Sequence, residues 1–308
     1  MFFDKYALGV EIGHDGLKMA VLTGEPVIPQ LRAYRFARFQ PETLRFSHRE
    51  PNILNPAAFA ATVRDTWLQL LTNVNRISLS LPDSVGRVMI LELETRFRSR
   101  DEGSDIIRWK LKKSLPIDIR DVHLDYQVLG EKETGEVIVL VSLVARPVIT
   151  QYEDVLLEAG LEPSSIDFTT FNLCRFFDRR MALAENSVFV SFYEGVLSVM
   201  IFNAGAPDFY RSREIPAGAG EANRIFLEIN SSLLAYKDKK GGLPVTELFC
   251  FFPSEHVDAL RPLVEEATGL EPQFLETERY ISRPQGIVAD RDSLNHLAAA
   301  FGAALRNL

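Results

Sequence analysis

The residues of this 308-residue chain that could do chemistry are thinly spread, and most of their groupings resolve into ordinary structure. Gly218-Ala219-Gly220 comes after a strand pattern and opens a helix pattern, where a dinucleotide fingerprint would turn backbone N–H groups toward a pyrophosphate. Asn223 stands at the third glycine position and Pro216 interrupts the approach, so the segment reads as a turn into a helix. Gly241-Gly242 follows Lys237-Asp238-Lys239-Lys240 without a Gly-Lys-Ser/Thr, which makes it an exposed loop tip and not a phosphate loop. The histidines (His14, His48, His123, His256 and His296) keep no metal-ligand spacing, and no metal site is expected. Ser84 lacks the glycine two positions upstream that a nucleophile elbow requires. Cys174 and Cys250 lie in apolar segments, as reduced core cysteines of a cytosolic protein do.

The net charge of −8 is unevenly divided: residues 1–150 carry 20 basic against 19 acidic side chains, and residues 151–308 carry 14 against 23. Two basic clusters occupy the first half. In one, Arg32, Arg35, Arg38, Arg45 and Arg49 interleave with Tyr34, Phe36, Phe39 and Phe46. Basic residues with aromatics can bind nucleic acid. Here the alternation has strand period, so a half-buried strand with a solvated basic face accounts for it, and with the acidic total no nucleic-acid partner is expected. The other cluster is Arg96, Arg98, Arg100, Arg108, Lys110, Lys112 and Lys113, a face suited to an acidic partner or an anionic membrane surface. No apolar run approaches the length of a membrane helix, and the N-terminus has neither a basic n-region nor an apolar stretch of signal length, so a cytoplasmic location is expected.

The elements that would position these residues follow from hydrophobic period and punctuation. Residues 6–22 read as a hairpin turned at Gly13-His14-Asp15-Gly16, with a third strand near 31–39. Asn55-Pro56 is an N-cap followed by proline at the first helical position, opening a helix to about residue 71. Strands 76–81 and 85–93, a helix over 104–114, strands 122–129 and 136–145, a helix ending at Gly160, a strand at 165–168 and a helix over 171–183 follow. A second half then repeats the first. GVEIGHDGLKMAVL from Gly9 aligns without a gap on FVSFYEGVLSVMIF from Phe189, at an offset of 180 residues. Helices over 221–236, 255–268 and 293–306 and a strand at 247–252 complete it. Two hairpin-led α/β lobes in tandem are a structural duplication.

Such a duplication is the plan of actin and the hexokinases, and the segments resemble the PilM family of cytoplasmic actin-like proteins of type IV pilus assembly, with the FtsA family more distant. The resemblance covers nearly the whole chain. It rests on Gly9-Val10-Glu11-Ile12-Gly13 with Lys18, Leu79-Ser80-Leu81-Pro82, Leu115-Pro116-Ile117, the run from Leu124 to Gly130, Glu158-Ala159-Gly160-Leu161-Glu162-Pro163, Arg213-Glu214-Ile215-Pro216, and the ending Ala300-Phe301-Gly302-Ala303-Ala304-Leu305-Arg306. It implies an α/β, actin-like two-lobed fold (ribonuclease H-like and duplicated) with an inserted α+β subdomain. Residues 1–81 with 163–185 would form the first lobe, 82–162 the insertion and 186–308 the second lobe.

In that plan the two hairpin turns face each other and hold nucleotide phosphates through backbone N–H groups, while an Asp in each strand manages metal and water. This sequence departs from the plan. The first strand carries Glu11 in place of Asp, and its turn places Asp15 where phosphate would sit. The second strand has Ser191-Phe192-Tyr193 in place of Asp-Ile-Gly, and Phe252-Pro253-Ser254 replaces an adenosine-side glycine pair. By the resemblance, Gly13, Asp15 and Lys18 mark a vestigial phosphate turn. No catalytic residue and no cofactor are expected, ATP with Mg²⁺ being the group the plan would otherwise place there. The resemblance further implies a scaffold, peripheral to the inner membrane, that binds the N-terminal tail of a PilN-like membrane protein among other pilus assembly proteins. Trp109, Leu115 and Pro116 are candidates for the groove that takes the tail. The alternatives are an active actin-like ATPase, which would need a carboxylate opposite Glu11, and the cytoplasmic platform of a type II secretion system, which normally runs on into a membrane helix.

Overall fold

The computed structural model describes residues 5–112, 119–240, 245–284 and 286–308. β1 (Tyr6–Gly13) and β2 (Gly16–Thr23) form the opening hairpin, with Gly13 opposite Gly16, and β3 (Gln30–Ala37) pairs with the outer edge of β2. Beyond Tyr6 every residue of β1 and β2 is buried, the condition of strands covered on both faces. α1 (Pro56–Leu68) starts at the expected cap, where the Asn55 side chain accepts a hydrogen bond from Ala58 N at 3.1 Å. It stops at Leu68, short of the expected residue 71, and Leu71 takes a left-handed φ of 53°. β4 (Arg76–Leu81) runs parallel to β1.

The chain then leaves this sheet through a 3₁₀ turn at Asp83–Val85, so β5 (Arg87–Leu93) begins two residues later than its apolar pattern predicts. α2 (Arg100–Leu111) begins four residues before the expected position, because the Ser99 side chain accepts from Glu102 N at 3.1 Å and caps it there. β6 (Val122–Glu131) and β7 (Val137–Ala145) complete a three-stranded antiparallel sheet of order β5-β7-β6. Alternate residues of β7 (Val137, Val139, Val141 and Leu143) pack on Ile107 and Leu111 of α2. α3 (Arg146–Glu158) leads back, and β8 (Glu162–Phe168) pairs parallel with β4, giving the first sheet the order β3-β2-β1-β4-β8.

α4 (Thr169–Met181) crosses to the second sheet. β9 (Ser187–Tyr193), β10 (Val196–Asn203) and β11 (Ala206–Glu214) repeat the hairpin and third strand. α5 (Glu221–Lys240), β12 (Glu247–Phe251), α6 (Ser254–Thr268) and β13 (Pro272–Phe274) follow, in a sheet of order β11-β10-β9-β12-β13. The order and the parallel or antiparallel sense of each pair match the first sheet, and the expected offset carries the bounds of β2 onto those of β10. This is the duplicated actin-like α/β architecture that the hairpin repeat predicts.

The helix expected over 293–306 is two helices, α7 (Arg291–His296) and α8 (Ala298–Leu305). Leu297 N reaches back only three residues, to Leu294 O at 3.1 Å, and this tight turn redirects the chain. α8 is buried on all sides from Ala298 to Ala304, as a helix apolar around its whole circumference must be. It lies with α4 between the two sheets, in a core that includes Leu173, Phe177, Phe189, Phe249 and Phe301. Two glycines permit the approach: a side chain on Gly9 would overlap the Ala300 carbonyl, and one on Gly302 would overlap the Asn172 carbonyl. The outer face of the first sheet carries residues of α1 and α3, and that of the second carries residues of α5 and α6.

Candidate functional site

The two hairpin turns face each other, and the space between them is filled by side chains. Glu11 and Lys18 are cross-strand partners in the first hairpin, both buried, with Lys18 Nζ 3.4 Å from Glu11 Oε1. Tyr193, the last residue of β9, brings its hydroxyl 3.0 Å from Lys18 Nζ, 3.0 Å from Glu11 Oε2 and 2.7 Å from the His296 carbonyl. Lys18 donates the first of these bonds, and the single tyrosine proton is shared toward the other two. Glu194, at the tip of the second hairpin, turns its carboxylate inward onto Lys18 Nζ and against the Cα of Gly13. Burial pushes the Glu11 carboxyl up from its ordinary range, opposed by the Lys18 charge and the Tyr193 hydrogen bond.

This geometry accounts for the sequence candidates one by one. Gly13 and Lys18 belong to the closed network. Asp15 stays at the exposed tip of its turn, on the rim of a neighbouring cavity of about 240 Å³. That cavity has aromatic walls at Phe192, Tyr193 and Phe251, and Glu221, Glu255 and Asp292 line it along with Asp15 and Glu194. His256 sits there 3.0 Å from Glu221, and no Lys or Arg is among the described lining residues. A magnesium polyphosphate needs cations and free N–H groups facing it. These residues supply carboxylates instead, and among the described residues no three ligating side chains converge on a point that could hold a metal ion. The residues lining this cavity do not fit a magnesium polyphosphate.

A second contact joins the halves. Asp83, just after β4, accepts from the Tyr210 hydroxyl of β11 at 2.5 Å and from Thr170 N at 3.2 Å, while the Thr170 and Ser198 hydroxyls lie 2.7 Å apart. The sequence marks Asp83 only as part of a turn between strands and does not mark Glu194, because Tyr210 and Lys18 lie 127 and 176 positions from them.

Another place with room for a partner is a groove of about 280 Å³ where the first sheet meets the three-stranded sheet. One wall is β8, which ends its sheet and has no further neighbour among the described residues. The other includes Asp125 of β6 with Ser142 and Val144 of β7, whose side chains point away from α2. Ile149 and Phe168 lie along it, and Arg306 sits at its edge, 3.0 Å from Asp167. Trp109 is 77% exposed on the outer side of α2 and does not line this groove. Leu115 and Pro116 lie outside the described residues, as does the loop tip Gly241-Gly242.

Among solved structures, a chain of the PilM-PilN type IV pilus biogenesis complex superposes with a TM-score of 0.81 at 18% identity, covering 98% of each chain. A Bacteroides thetaiotaomicron protein of actin-like ATPase fold and unknown function scores 0.54 at 12% identity, over 96% of this chain and 95% of its own. The cytoplasmic domain of EpsL, an inner-membrane component of the type II secretion system of Vibrio cholerae, scores 0.53 at 12% identity, over 96% and 94%. No protein-family model and no curated protein matches the chain. The likeness shows an actin-like fold over 96% of the chain or more.

Proposed function

We propose that this chain is an interaction scaffold of an inner-membrane assembly of the type IV pilus kind, holding the extended N-terminal tail of a PilN-like membrane protein in the groove between β8 and the three-stranded sheet. The observation that carries the reading is the match along 98% of both chains to a member of a PilM-PilN complex. The groove suits the task, since an edge strand offers unpaired backbone groups to an extended peptide while half-buried Val144 seats an apolar side chain. Trp109 remains a candidate contact on the inserted unit's outer surface. In this reading the hairpin cleft binds no ATP and performs no hydrolysis, and the protein reaches the membrane through its partner. No helix among the described residues is long and apolar enough to cross a membrane.

Fluorescence anisotropy with a labelled PilN-type tail peptide tests this. Saturable binding is expected, weakened about tenfold or more by Ser142→Arg, which narrows the groove, and unchanged by MgATP. No binding, or binding indifferent to Ser142→Arg, would sink the reading. A response only to the tail of a type II secretion partner would move the scaffold to that machine, whose EpsL component has the same fold.

A further inference from the structure

We propose, resting on the groove reading above, that Glu153 selects a basic side chain in the bound tail, two residues along from the apolar side chain seated at Ile149. The groove between β8 and the three-stranded sheet is lined by three carboxylates, those of Asp125, Glu153 and Asp167, and by one guanidinium, that of Arg306. The chain itself supplies cations to two of the carboxylates. Asp167 lies 3.0 Å from Arg175 and 3.0 Å from Arg306, and Asp125 is paired with Arg100. Glu153 has no ion pair and no side-chain hydrogen bond among the described residues. Arg306 is already engaged by Asp167, and His123, the remaining ionisable group of the lining, stands on β6 across the groove. Glu153 is therefore the carboxylate of this groove whose counter-charge has to come from outside the chain.

The spacing along α3 fixes where that charge must lie. Ile149 and Glu153 are four residues apart on one helix, so they share a face and stand about 6 Å apart along its axis. Ile149 is buried, and with Phe168 and half-buried Val144 it forms the apolar part of the groove. Both α3 residues line the groove that β8 borders, so a segment paired with the β8 edge passes Ile149 and Glu153 in turn. In an extended chain, residues two apart point to the same side and are separated by about 6.6 Å. An apolar residue seated at Ile149 thus brings the second residue along to Glu153. A Lys or Arg there completes an ion pair, whereas an Asp or Glu meets a like charge.

The experiment is a charge-reversal cycle read by fluorescence anisotropy. The probe is the labelled PilN-type tail peptide, made with Lys or with Glu two positions before, and then two positions after, its apolar anchor. At one of these positions the wild type is expected to bind the Lys form about fivefold more tightly than the Glu form, and Glu153→Lys is expected to reverse the order. The preference should shrink as the salt concentration rises, because Glu153 is exposed. Glu153→Lys breaks no contact, so its thermal melt should match that of the wild type. A Lys preference that survives Glu153→Lys, or no preference at either position, would overturn the proposal; if Ser142→Arg still abolished binding, the groove would stand without it. Binding indifferent to Ser142→Arg would remove the groove and this selection together.

Discussion

Asp83 is a single carboxyl on which the junction between the two halves converges, and it has a measurable signature. Burial lifts its pKa from 3.8 to about 6, against hydrogen bonds from Tyr210 and Thr170 that favour the charge. A carboxyl whose pKa is raised on folding contributes stability that is fully present below the unfolded value and lost as the pH rises through the folded one. The native protein should therefore lose ~3 kcal/mol from this site between about pH 4 and 6, opposite in sign to the usual acid denaturation. Asp83→Asn removes the slope: relative to wild type it should gain in urea-unfolding stability at pH 7.5 and converge with it near pH 4. An unchanged difference across that range would mean that Asp83 does not titrate there. Neither Asp83 nor Glu194 was legible as special in the sequence. Ser191-Phe192-Tyr193 departs from the family plan in the sequence itself, but nothing there says that the next residue would fold back onto Lys18, 176 positions away.

At the scale of elements, the close approach of α8 to β1 and α4 is the tightest demand on the chain. Gly302→Ala should gain ~1 kcal/mol of helix propensity, yet the new methyl would meet the Asn172 carbonyl, and overpacking against backbone costs ~1–3 kcal/mol or more. The expected result is a net loss in denaturant midpoint, with activity in tail binding retained by the folded fraction. A neutral or stabilising effect would show that α4 can move aside. The strands were readable because β1, β2, β9 and β10 carry apolar runs around compact turns, and the repeat doubles the signal. The break at Leu297 was not, since it follows from where the helix must go and not from any proline or glycine at that position. Likewise Trp109 fits the apolar pattern of α2, but the sheet beneath α2 takes Ile107 and Leu111 and leaves the indole outside.

At the scale of the whole molecule, a duplicated frame supports an inserted sheet, and the proposed partner groove lies on the seam between them. The frame is read from the hairpin repeat, whereas the seam emerges only when β8 returns to β4. That return has a kinetic consequence. The Ser164 hydroxyl bonds the Ile77 carbonyl across 87 positions, so completing the first sheet means closing a loop the size of the whole insertion. Loop closure of this kind is slow unless the intervening chain has already contracted, and the β6–β7 hairpin can form from local contacts alone. Pulse-labelled hydrogen exchange during refolding should protect the amides of β6 and β7 before those of β8, and simultaneous protection would reveal one cooperative step instead. A chain halted midway would then possess the inserted sheet but only one bank of the groove, so an unfinished molecule would have no means of capturing a tail.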